Sequence, residues 1–471
     1  MTVVILQPRV IVEDPHNCTD AADALTVLEA IYDPLLRRDA TGAYVPALAT
    51  GWQVSEDCRH WTFHLRAGVS FHDGSPFEAG AVIASLRRMA RPDMGVTLGA
   101  PGVWAQYLAV ADFAAPDPLT VEVTLAAPMA DLPDLLVQGF IAAPSCLNDP
   151  VARPVGTGAY VFESAEDDRI RARANPDHWA GPPPNACVEW RRMESAADRL
   201  AAFQSGEAQV ATRLPPTGSA PADTVDHLAP VTLIYLMNAA EGPLADRRLR
   251  RALNLAIDRD ALVRDVLGGA GVPLFGPFSP LHPGHVPGAP APDPDAARAL
   301  MAEAGYPDGL VLKVDTPTAL PDEAEALTAA LARQLKPLGI AFNVRVLPDR
   351  TEYAHMVRRS EMRDMCVFDS SPLSTYRVLR EKIDSRVEGS WWLGYRNAAA
   401  EAPIDRAAAT ADDAAREALY REIHETLVAD PPWLYCYCHT RRTGIRGLPE
   451  SFAMRRDAVL DVTRLPGMET E

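Results

Sequence analysis

The chain lacks the features that would place it in a membrane, on nucleic acid or among disulfide-stabilised proteins. Its 471 residues contain no run of about 18 apolar residues, so no membrane-spanning helix is expected. Acidic residues outnumber basic ones by 63 to 45, and the net charge of −18 argues against a nucleic acid partner, which requires a basic face. The seven cysteines are scattered and odd in number, so we expect small buried hydrophobic residues rather than a disulfide framework.

The N-terminus also lacks the features of a secretory signal peptide. Its short apolar run alternates as in a strand, and no basic segment precedes it. Two interpretations follow: either a leader was removed from the mature chain, or the protein stays in the cytoplasm.

What the chain does contain favours an α/β protein of two or three domains. Its length exceeds what one hydrophobic core supports, and 48% of its residues are hydrophobic. Runs with a period of two alternate with runs of helical period. The main strands are predicted at 3–12, 231–237, 310–315, 340–347 and 433–438, and the main helices at 20–36, 76–89, 246–267, 322–338 and 412–429.

Eight segments, in this order, carry a resemblance to a known family. They are "YVPALATGWQVSEDCRHWTFHLRAGVSFHDGSPFEAGAV" (44–82), "PVGTGAYVF" (154–162), "NPDHWAGPPP" (175–184), "FQSGEAQV" (203–210), "LADRRLRRALNLAIDRDALV" (244–263), "DPDAARALMAEAGYPDG" (293–309), "QLKPLGIAFNV" (334–344) and "REALYREIHETLVADPPWLYCY" (416–437). The chain resembles the solute-binding proteins of family 5, the peptide- and nickel-binding type that serves ABC importers.

The resemblance implies a two-lobed α/β fold of the periplasmic-binding-protein type, with an extra subdomain and a ligand cleft between the lobes. We place the first lobe at 1–15, 145–236 and 444–471, its extra subdomain at 16–144, and the second lobe at 237–443. The implied function is to bind a short peptide or a small amine-bearing compound by lobe closure, without chemistry, cofactor or metal. The resemblance also implies that the protein is a periplasmic monomer and that it delivers its ligand to an ABC permease in the membrane.

The resemblance also implies ligand-binding residues in the second lobe. Asp369 follows an apolar strand start, and related peptide binders use an aspartate at this place to hold the ligand's ammonium group. Trp391 or Trp392 is expected to stack on the ligand. Both precede "GYRN" (394–397), a segment that includes Tyr395 and matches a family block near the cleft.

Two further sets of residues are candidates for ligand contact. Arg350 stands where dipeptide-binding relatives tend to have an aromatic residue, and it would offer two parallel donors to a carboxylate or phosphate. Asn17, Cys18 and Thr19 follow the first strand, where backbone and small polar residues of the family line the cleft.

Two histidine motifs could supply chemistry, but the sequence favours a structural interpretation of each. His72 and Asp73 could form a catalytic pair, but Asp73-Gly74 between a strand and a helix is also a turn signal, with Asp73 or Ser75 available as a cap. His282 and His285 could bind a metal, but they lie in a proline-rich loop, where a solvated pair is expected.

A second function class stays open from the sequence. A leaderless chain with seven cysteines could be a cytoplasmic enzyme or ligand sensor built on the same fold. It would be distinguished by turnover of the added ligand, whereas a receptor returns the ligand unchanged.

Overall fold

The structure is a computed structural model in which contacts divide the chain into two compact units. It describes residues 2–17, 19–95, 102–216, 221–288, 290–319, 321–389, 391–449 and 452–467. Among these, unit 1 comprises 2–95, 102–227 and 441–467, and unit 2 comprises 228–440. Unit 2 covers 228–440, whereas the second lobe is predicted at 237–443. The described part of 16–144 belongs to unit 1, and its separation as a subdomain stays a prediction.

Unit 1 is a mixed α/β unit. Its strands in the described residues are β1 (Thr2–Gln7), β2 (Asp33–Pro34), β3 (Leu36–Arg38), β4 (Tyr44–Pro46), β5 (Ala49–Val54), β6 (His60–Leu65), β7 (Asp112–Asp117), β8 (Thr120–Thr124), β9 (Phe140–Ile141), β10 (Tyr160–Glu166), β11 (Arg169–Ala174), β12 (Cys187–Arg192) and β13 (Val210–Leu214). Its helices there are α1 (Ala22–Ile31), α2 (Ala79–Met89), α3 (Val103–Leu108), α4 (Leu132–Leu136) and α5 (Ala196–Ser205).

The main sheet of unit 1 is built around β1. This strand runs parallel to β12 and to β13, and β11 and β10 continue the sheet from β12 in antiparallel order. A separate antiparallel sheet has the order β5-β6-β8-β7. In β6, Trp61 and Phe63 are buried whereas His60 and His64 are exposed, because side chains alternate between the two faces of a strand.

Unit 2 is also α/β. Its strands are β14 (Thr224–Met237), β15 (Gly271–Pro273), β16 (Leu310–Pro317), β17 (Ile340–Leu347), β18 (Met365–Ser370) and β19 (Trp433–Ile445), of which β14 begins in unit 1 and β19 ends there. Its described helices are α6 (Arg247–Ala256), α7 (Arg259–Leu267), α8 (Pro294–Glu303), α9 (Ala324–Leu335), α10 (Arg350–Arg358), α11 (Thr375–Lys382), α12 (Ala398–Ala408) and α13 (Asp413–Ala429).

The sheet of unit 2 brings three strand ends to one edge. β16 is parallel to both β17 and β18, and β14 lies antiparallel beside β18. The carboxyl ends of β16, β17 and β18 therefore share an edge, where ligands collect in open α/β sheets.

The hydrophobic core of unit 2 covers one face of this sheet. Leu233, Tyr235, Met365 and Val367 are almost fully buried in it, together with side chains of α6, α7 and α9. Because side chains alternate along a strand, Cys366 and Phe368 of β18 lie on the opposite face. That face is covered by α10, whose Tyr353 ring is parallel to Phe368 at 6.1 Å.

The helix predicted at 246–267 is wrong as a single element. The structure ends α6 at Ala256 and starts α7 at Arg259, with an extended backbone at Ile257. The carboxylate of Asp258 accepts a hydrogen bond from the Ala261 amide at 2.9 Å. An aspartate that caps a new helix competes with continuation of the old one, and the amphipathic period alone did not reveal this break.

Three other predicted boundaries extend too far. β1 ends at Gln7 rather than at residue 12, and α1 ends at Ile31 because Tyr32 is extended. α2 begins at Ala79 rather than at 76, since the Phe77 side chain is buried and its amide bonds to the Val69 carbonyl at 3.0 Å. The N-cap of this helix is Glu78, so neither Asp73 nor Ser75 caps it.

Candidate functional site

Asp369 lies at the carboxyl end of β18, at the edge where the three parallel strands end. It is half-buried, and its backbone is paired with Leu233. Within the described part of the chain, no cation or hydrogen-bond donor is paired with its carboxylate. A partly buried carboxylate without a partner is costly, so this group is available to a cation from outside the chain.

Asp315 in the neighbouring strand β16 shows how the fold neutralises an acid that it does not expose. Asp315 is fully buried and accepts hydrogen bonds from Arg345 Nε at 2.8 Å and from Arg363 Nε at 2.7 Å. The two aspartates therefore have opposite environments at neighbouring strands.

Arg350 lies at the first residue of α10, directly beyond the end of β17. Its guanidinium carbon is 4.9 Å from the Phe368 ring centroid and 5.7 Å from that of Tyr353. The Tyr353 hydroxyl donates to the Val367 carbonyl at 2.5 Å, which holds its ring in place. Stacking on aromatic faces is a contact that suits the planar guanidinium of an arginine.

Trp391 packs against the same Phe368 ring, with centroids 4.3 Å apart. Its φ of 71° lies in the left-handed region, which costs a non-glycine residue roughly 1–3 kcal/mol. Strained residues persist where the surrounding structure imposes them, and they cluster at binding sites. The structure therefore brings Arg350 and Trp391 together on one ring.

Trp392 and Tyr395 have other neighbours. The Trp392 indole donates to the Tyr395 carbonyl at 2.6 Å, and Arg396 lies over the Trp392 ring at 5.0 Å. Tyr395 is buried, and its hydroxyl donates to the Asp430 carbonyl at 2.8 Å. Burial raises the pKa of this phenol well above its ordinary value. Tyr395 thus supports the segment that carries the tryptophans, and a ligand contact by either residue stays a prediction.

The unit 1 candidates lie beside a buried charged cluster. Thr19 accepts a hydrogen bond from the Ala21 amide at 3.1 Å, and the Asn17 amide donates to the Asp14 carbonyl at 3.1 Å. Asp14 in turn binds Arg88 through two hydrogen bonds of 2.7 and 2.5 Å. Cys18 lies outside the described residues. The ligand role of Asn17, Cys18 and Thr19 stays a prediction.

His72 and Asp73 do not bond to one another. The carboxylate of Asp73 accepts hydrogen bonds from Ser75 and Ser145. Gly74, between Asp73 and Ser75, has a φ of 83°. The His72 Nε2 atom is 2.9 Å from the Gly158 carbonyl oxygen. The motif is a turn within unit 1, as the structural interpretation predicted, and offers no catalytic pair.

The second histidine pair is packed rather than solvated, so that expectation was wrong. His282 is buried between Ser279 at 2.8 Å and the Pro372 carbonyl oxygen at 2.8 Å, and His285 bonds to the Phe278 carbonyl. Among the described residues, no group of three or more potential metal ligands is found. In the same part of the chain, no helix combines the length and apolarity that a membrane crossing needs.

Two residues of the site were missed in the sequence. Phe368 joins Arg350 and Trp391, and Ser370 lies two residues further along the same face of β18. Ser370 is 1% exposed, and its hydroxyl has no hydrogen-bond partner among the described residues. Both flank Asp369 in "VFDSS", so alternation along the strand was the signal that could have found them.

Comparison with known proteins identifies the family. Residues 43–374 match the profile of the bacterial extracellular solute-binding proteins, family 5. The glutathione-binding protein GsiB of Pectobacterium atrosepticum is 27% identical over 446 residues, which cover 90% of this chain and 85% of that protein. GsiB of Salmonella typhimurium is 32% identical over 311 residues, covering 63% of this chain and 60% of that protein.

Solved structures of binding proteins share the fold. DppA from Helicobacter pylori, in complex with the peptide STSA, has a TM-score of 0.79 at 20% identity, covering 98% of this chain and 97% of that one. AppA from Bacillus subtilis, in complex with a nonapeptide, has a TM-score of 0.79 at 18% identity, covering 98% of both chains. The resemblance found in the sequence and the fold class that it implied are confirmed. The chain therefore belongs to the family 5 extracellular solute-binding proteins, and it is a solute receptor of an ABC importer rather than an enzyme.

Proposed function

We propose that the protein binds a short peptide or a small amine-bearing compound and that Asp369 holds the ligand's ammonium group. The observation that carries this proposal is the half-buried carboxylate of Asp369, which has no partner cation in the described residues. An ammonium donor at this position would form a charge-assisted hydrogen bond in a partly dry environment.

The aromatic residues beside the strand end support a ligand with an apolar portion. Trp391 is half-buried against Phe368, so part of its ring is open to a bound molecule. Stacking on Trp391 or Trp392 and an anion contact by Arg350 belong to this proposal. GsiB is named as a glutathione-binding protein, and DppA was solved in complex with a peptide. Both of these ligands carry an ammonium group.

Unit 1 is proposed to contribute the polar contacts of Asn17, Cys18 and Thr19. Closure of the two lobes on the ligand stays a prediction.

Proteins of the family are periplasmic and work with ABC permeases. We infer that this protein works as a periplasmic monomer that presents its ligand to such a permease. Fractionation of cells that express the native gene would test this location, and recovery in the cytoplasm would contradict it.

The proposal is tested by identifying and then titrating the ligand. Purified protein is denatured, the released small molecules are identified by mass spectrometry, and the released compound is titrated into wild type and Asp369→Asn by calorimetry. Asp369→Asn is expected to lower affinity by roughly 10- to 100-fold, because a charged hydrogen bond is worth about 1.5–3 kcal/mol.

The matched control is Asp265→Asn, which removes a surface aspartate that pairs with Arg264 on the same helix of unit 2. Its affinity should equal that of wild type. A ligand without an amine, or equal affinity of wild type and Asp369→Asn, would contradict the proposed role.

A further inference from the structure

The proline-rich loop that follows β15, residues 274–288, is packed against α13. The loop has a proline at every third or fourth position, and each proline fixes its own φ near about −65°. A Cβ atom at Gly276 would collide with the His424 ring, and one at Gly284 would collide with the Tyr420 side chain. Because both partners belong to α13, the backbone of the loop lies directly against that helix and is held in place on unit 2.

His282 of this loop bonds to the segment that follows Asp369. The Ser279 amide donates to the Nδ1 atom of His282 at 3.2 Å, and an amide N–H can only donate, so Nδ1 carries no hydrogen. The hydrogen of the neutral ring is therefore on Nε2, which donates to the Pro372 carbonyl oxygen at 2.8 Å. The imidazole is 4% exposed, so this bond is shielded from water.

A second hydrogen bond joins the same two segments. The Thr375 hydroxyl donates to the Pro283 carbonyl oxygen at 2.8 Å. β18 ends at Ser370 and α11 begins at Thr375, so the connection between them consists of residues 371–374. Two anchors on so short a connection fix its path, and with it the backbone that continues from Asp369.

We propose that His282 is a positioning residue of the ligand site, which holds the segment after Asp369 in its binding conformation through the Pro372 carbonyl. This inference rests on the proposed role of Asp369. His282 acts through the backbone rather than by contact with the ligand. A buried carbonyl that loses its donor is costly, so without His282 the segment moves to satisfy that carbonyl elsewhere.

Two substitutions of His282 separate the two hydrogen bonds of its ring. In His282→Asn, the side-chain oxygen can accept from the Ser279 amide as Nδ1 does, but the shorter side chain does not reach Pro372. In His282→Gln, an amide donor lies near the position of Nε2, and the acceptor at Nδ1 is lost. Positioning therefore predicts that His282→Gln keeps the property that His282→Asn loses, whereas a role within the loop predicts the reverse.

The first measurement is amide hydrogen exchange of residues 369–378 in the ligand-free protein, followed by mass spectrometry. His282→Asn should speed exchange in this segment roughly 5- to 10-fold, because one buried hydrogen bond is lost, and His282→Gln should stay within about 2-fold of wild type. His285→Asn is the matched control, since the ring of His285 bonds to the Phe278 carbonyl within the loop. It should keep the wild-type exchange.

The second measurement is calorimetric titration with trialanine, a short peptide with an ammonium group. His282→Asn should bind trialanine roughly 5- to 10-fold more weakly than wild type, and His282→Gln and His285→Asn should bind it as wild type does. Thr375→Val removes the second anchor and should weaken binding by a similar factor. Thr375→Ser keeps the hydroxyl and should restore it.

The inference is supported by faster exchange and weaker binding in His282→Asn, with both restored in His282→Gln. Unchanged exchange in His282→Asn, faster exchange with unchanged binding, or equal losses in the two substitutions overturns it. Failure of the proposed function would appear differently, as equal trialanine affinity of wild type and Asp369→Asn or as no binding to wild type. In the latter case exchange decides the inference: faster exchange in His282→Asn alone supports it, and any other pattern overturns it.

Discussion

Asp33 of unit 1 and Asp369 of unit 2 are two acids with opposite environments. In unit 1, Asp33 is fully buried, and it bonds to Arg37, to Thr157 Oγ1 at 2.8 Å and to the Trp179 indole at 2.8 Å. Burial alone would raise the pKa of Asp33, but the Arg37 charge, His178 and the hydrogen bond from Trp179 hold it well below its usual range. In unit 2, Asp369 has no such partner among the described residues.

The difference separates acids that stabilise the fold through an ion pair from an acid that can bind a ligand. Asp14 with Arg88 and Glu29 with Arg455 in unit 1, and Asp315 with Arg345 in unit 2, repeat the pattern of Asp33, in which an acid is paired with an arginine. A buried charge with a complete set of partners specifies the fold, whereas an incomplete set predicts a ligand. The comparison therefore assigns stability to the unit 1 acids and binding to Asp369.

The comparison is tested most strongly by removing one acid from each unit. Asp33→Ala is expected to lower the free energy of unfolding by about 3–5 kcal/mol, because it leaves the half-buried Arg37 without this carboxylate and removes the buried acceptor of Thr157 and Trp179. Asp369→Ala should change it by less than about 0.5 kcal/mol, since no intramolecular partner is lost. Urea unfolding followed by circular dichroism measures both without ligand. Equal losses in the two variants would show that Asp369 is also a scaffold residue.

A buried histidine of unit 2, His424, makes the free energy of unfolding depend on pH. His424 lies near Phe278 and His285, and burial, followed by the His285 charge, lowers its pKa to about 4 from an ordinary 6.5. Between these values the unfolded chain binds the proton and the folded chain does not. Stability from His424 is therefore complete above pH 6.5 and is lost as the pH falls to about 4, by about 3 kcal/mol.

The measurement is urea unfolding at several pH values between 7 and 4. His424→Phe should flatten part of the pH dependence, because it removes the group whose pKa burial lowers. His16 of unit 1 contributes in the same direction, because burial and then the Arg88 charge lower its pKa to about 4. A His424→Phe protein with the wild-type pH profile would exclude this account.

The smallest expected effect concerns backbone strain that occurs in both units. Trp391 of unit 2 and Cys58 of unit 1 have φ values of 71° and 55°. Trp391→Gly should change the unfolding free energy by less than about 1 kcal/mol, since relief of strain offsets the lost ring pair with Phe368. Its ligand affinity should fall about 10-fold, because a stacking surface is lost.

Cys58→Gly is the counterpart in unit 1, where the residue forms a turn between β5 and β6 and its amide bonds to the Ser55 carbonyl at 2.9 Å. This variant should keep the wild-type affinity in the same titration. Unchanged affinity in Trp391→Gly would remove the tryptophan from the binding site.

Much of the fold was predictable, because its signals are local. β17 was predicted with the bounds that it has, Ile340–Leu347, and α13 within one residue at each end. The break at Ile257–Asp258 was missed because capping by Asp258 competes with a helical period that continues through it. The predicted burial of cysteines agrees with the six described ones, which are free and, apart from the half-buried Cys187, buried.

The candidate site was only partly predictable. Asp369 and Arg350 were selected as single residues, by position after a strand and by departure from the family pattern. Their placement on opposite faces of β18, and the Phe368 ring beneath Arg350, depend on strand register and on the packing of α10. Neither is encoded in the spacing between the two residues.

The sequence by itself determined the family, the α/β class and the alternation of buried and exposed side chains, because these depend on local period and on the order of segments. Only the tertiary structure decided which charges stay available. Asp315 and Asp369 both lie near strand ends of one sheet, yet Arg345 and Arg363 reach only the first. Electrostatic compensation depends on distances of a few ångströms between residues far apart in the chain, and folding alone sets those distances.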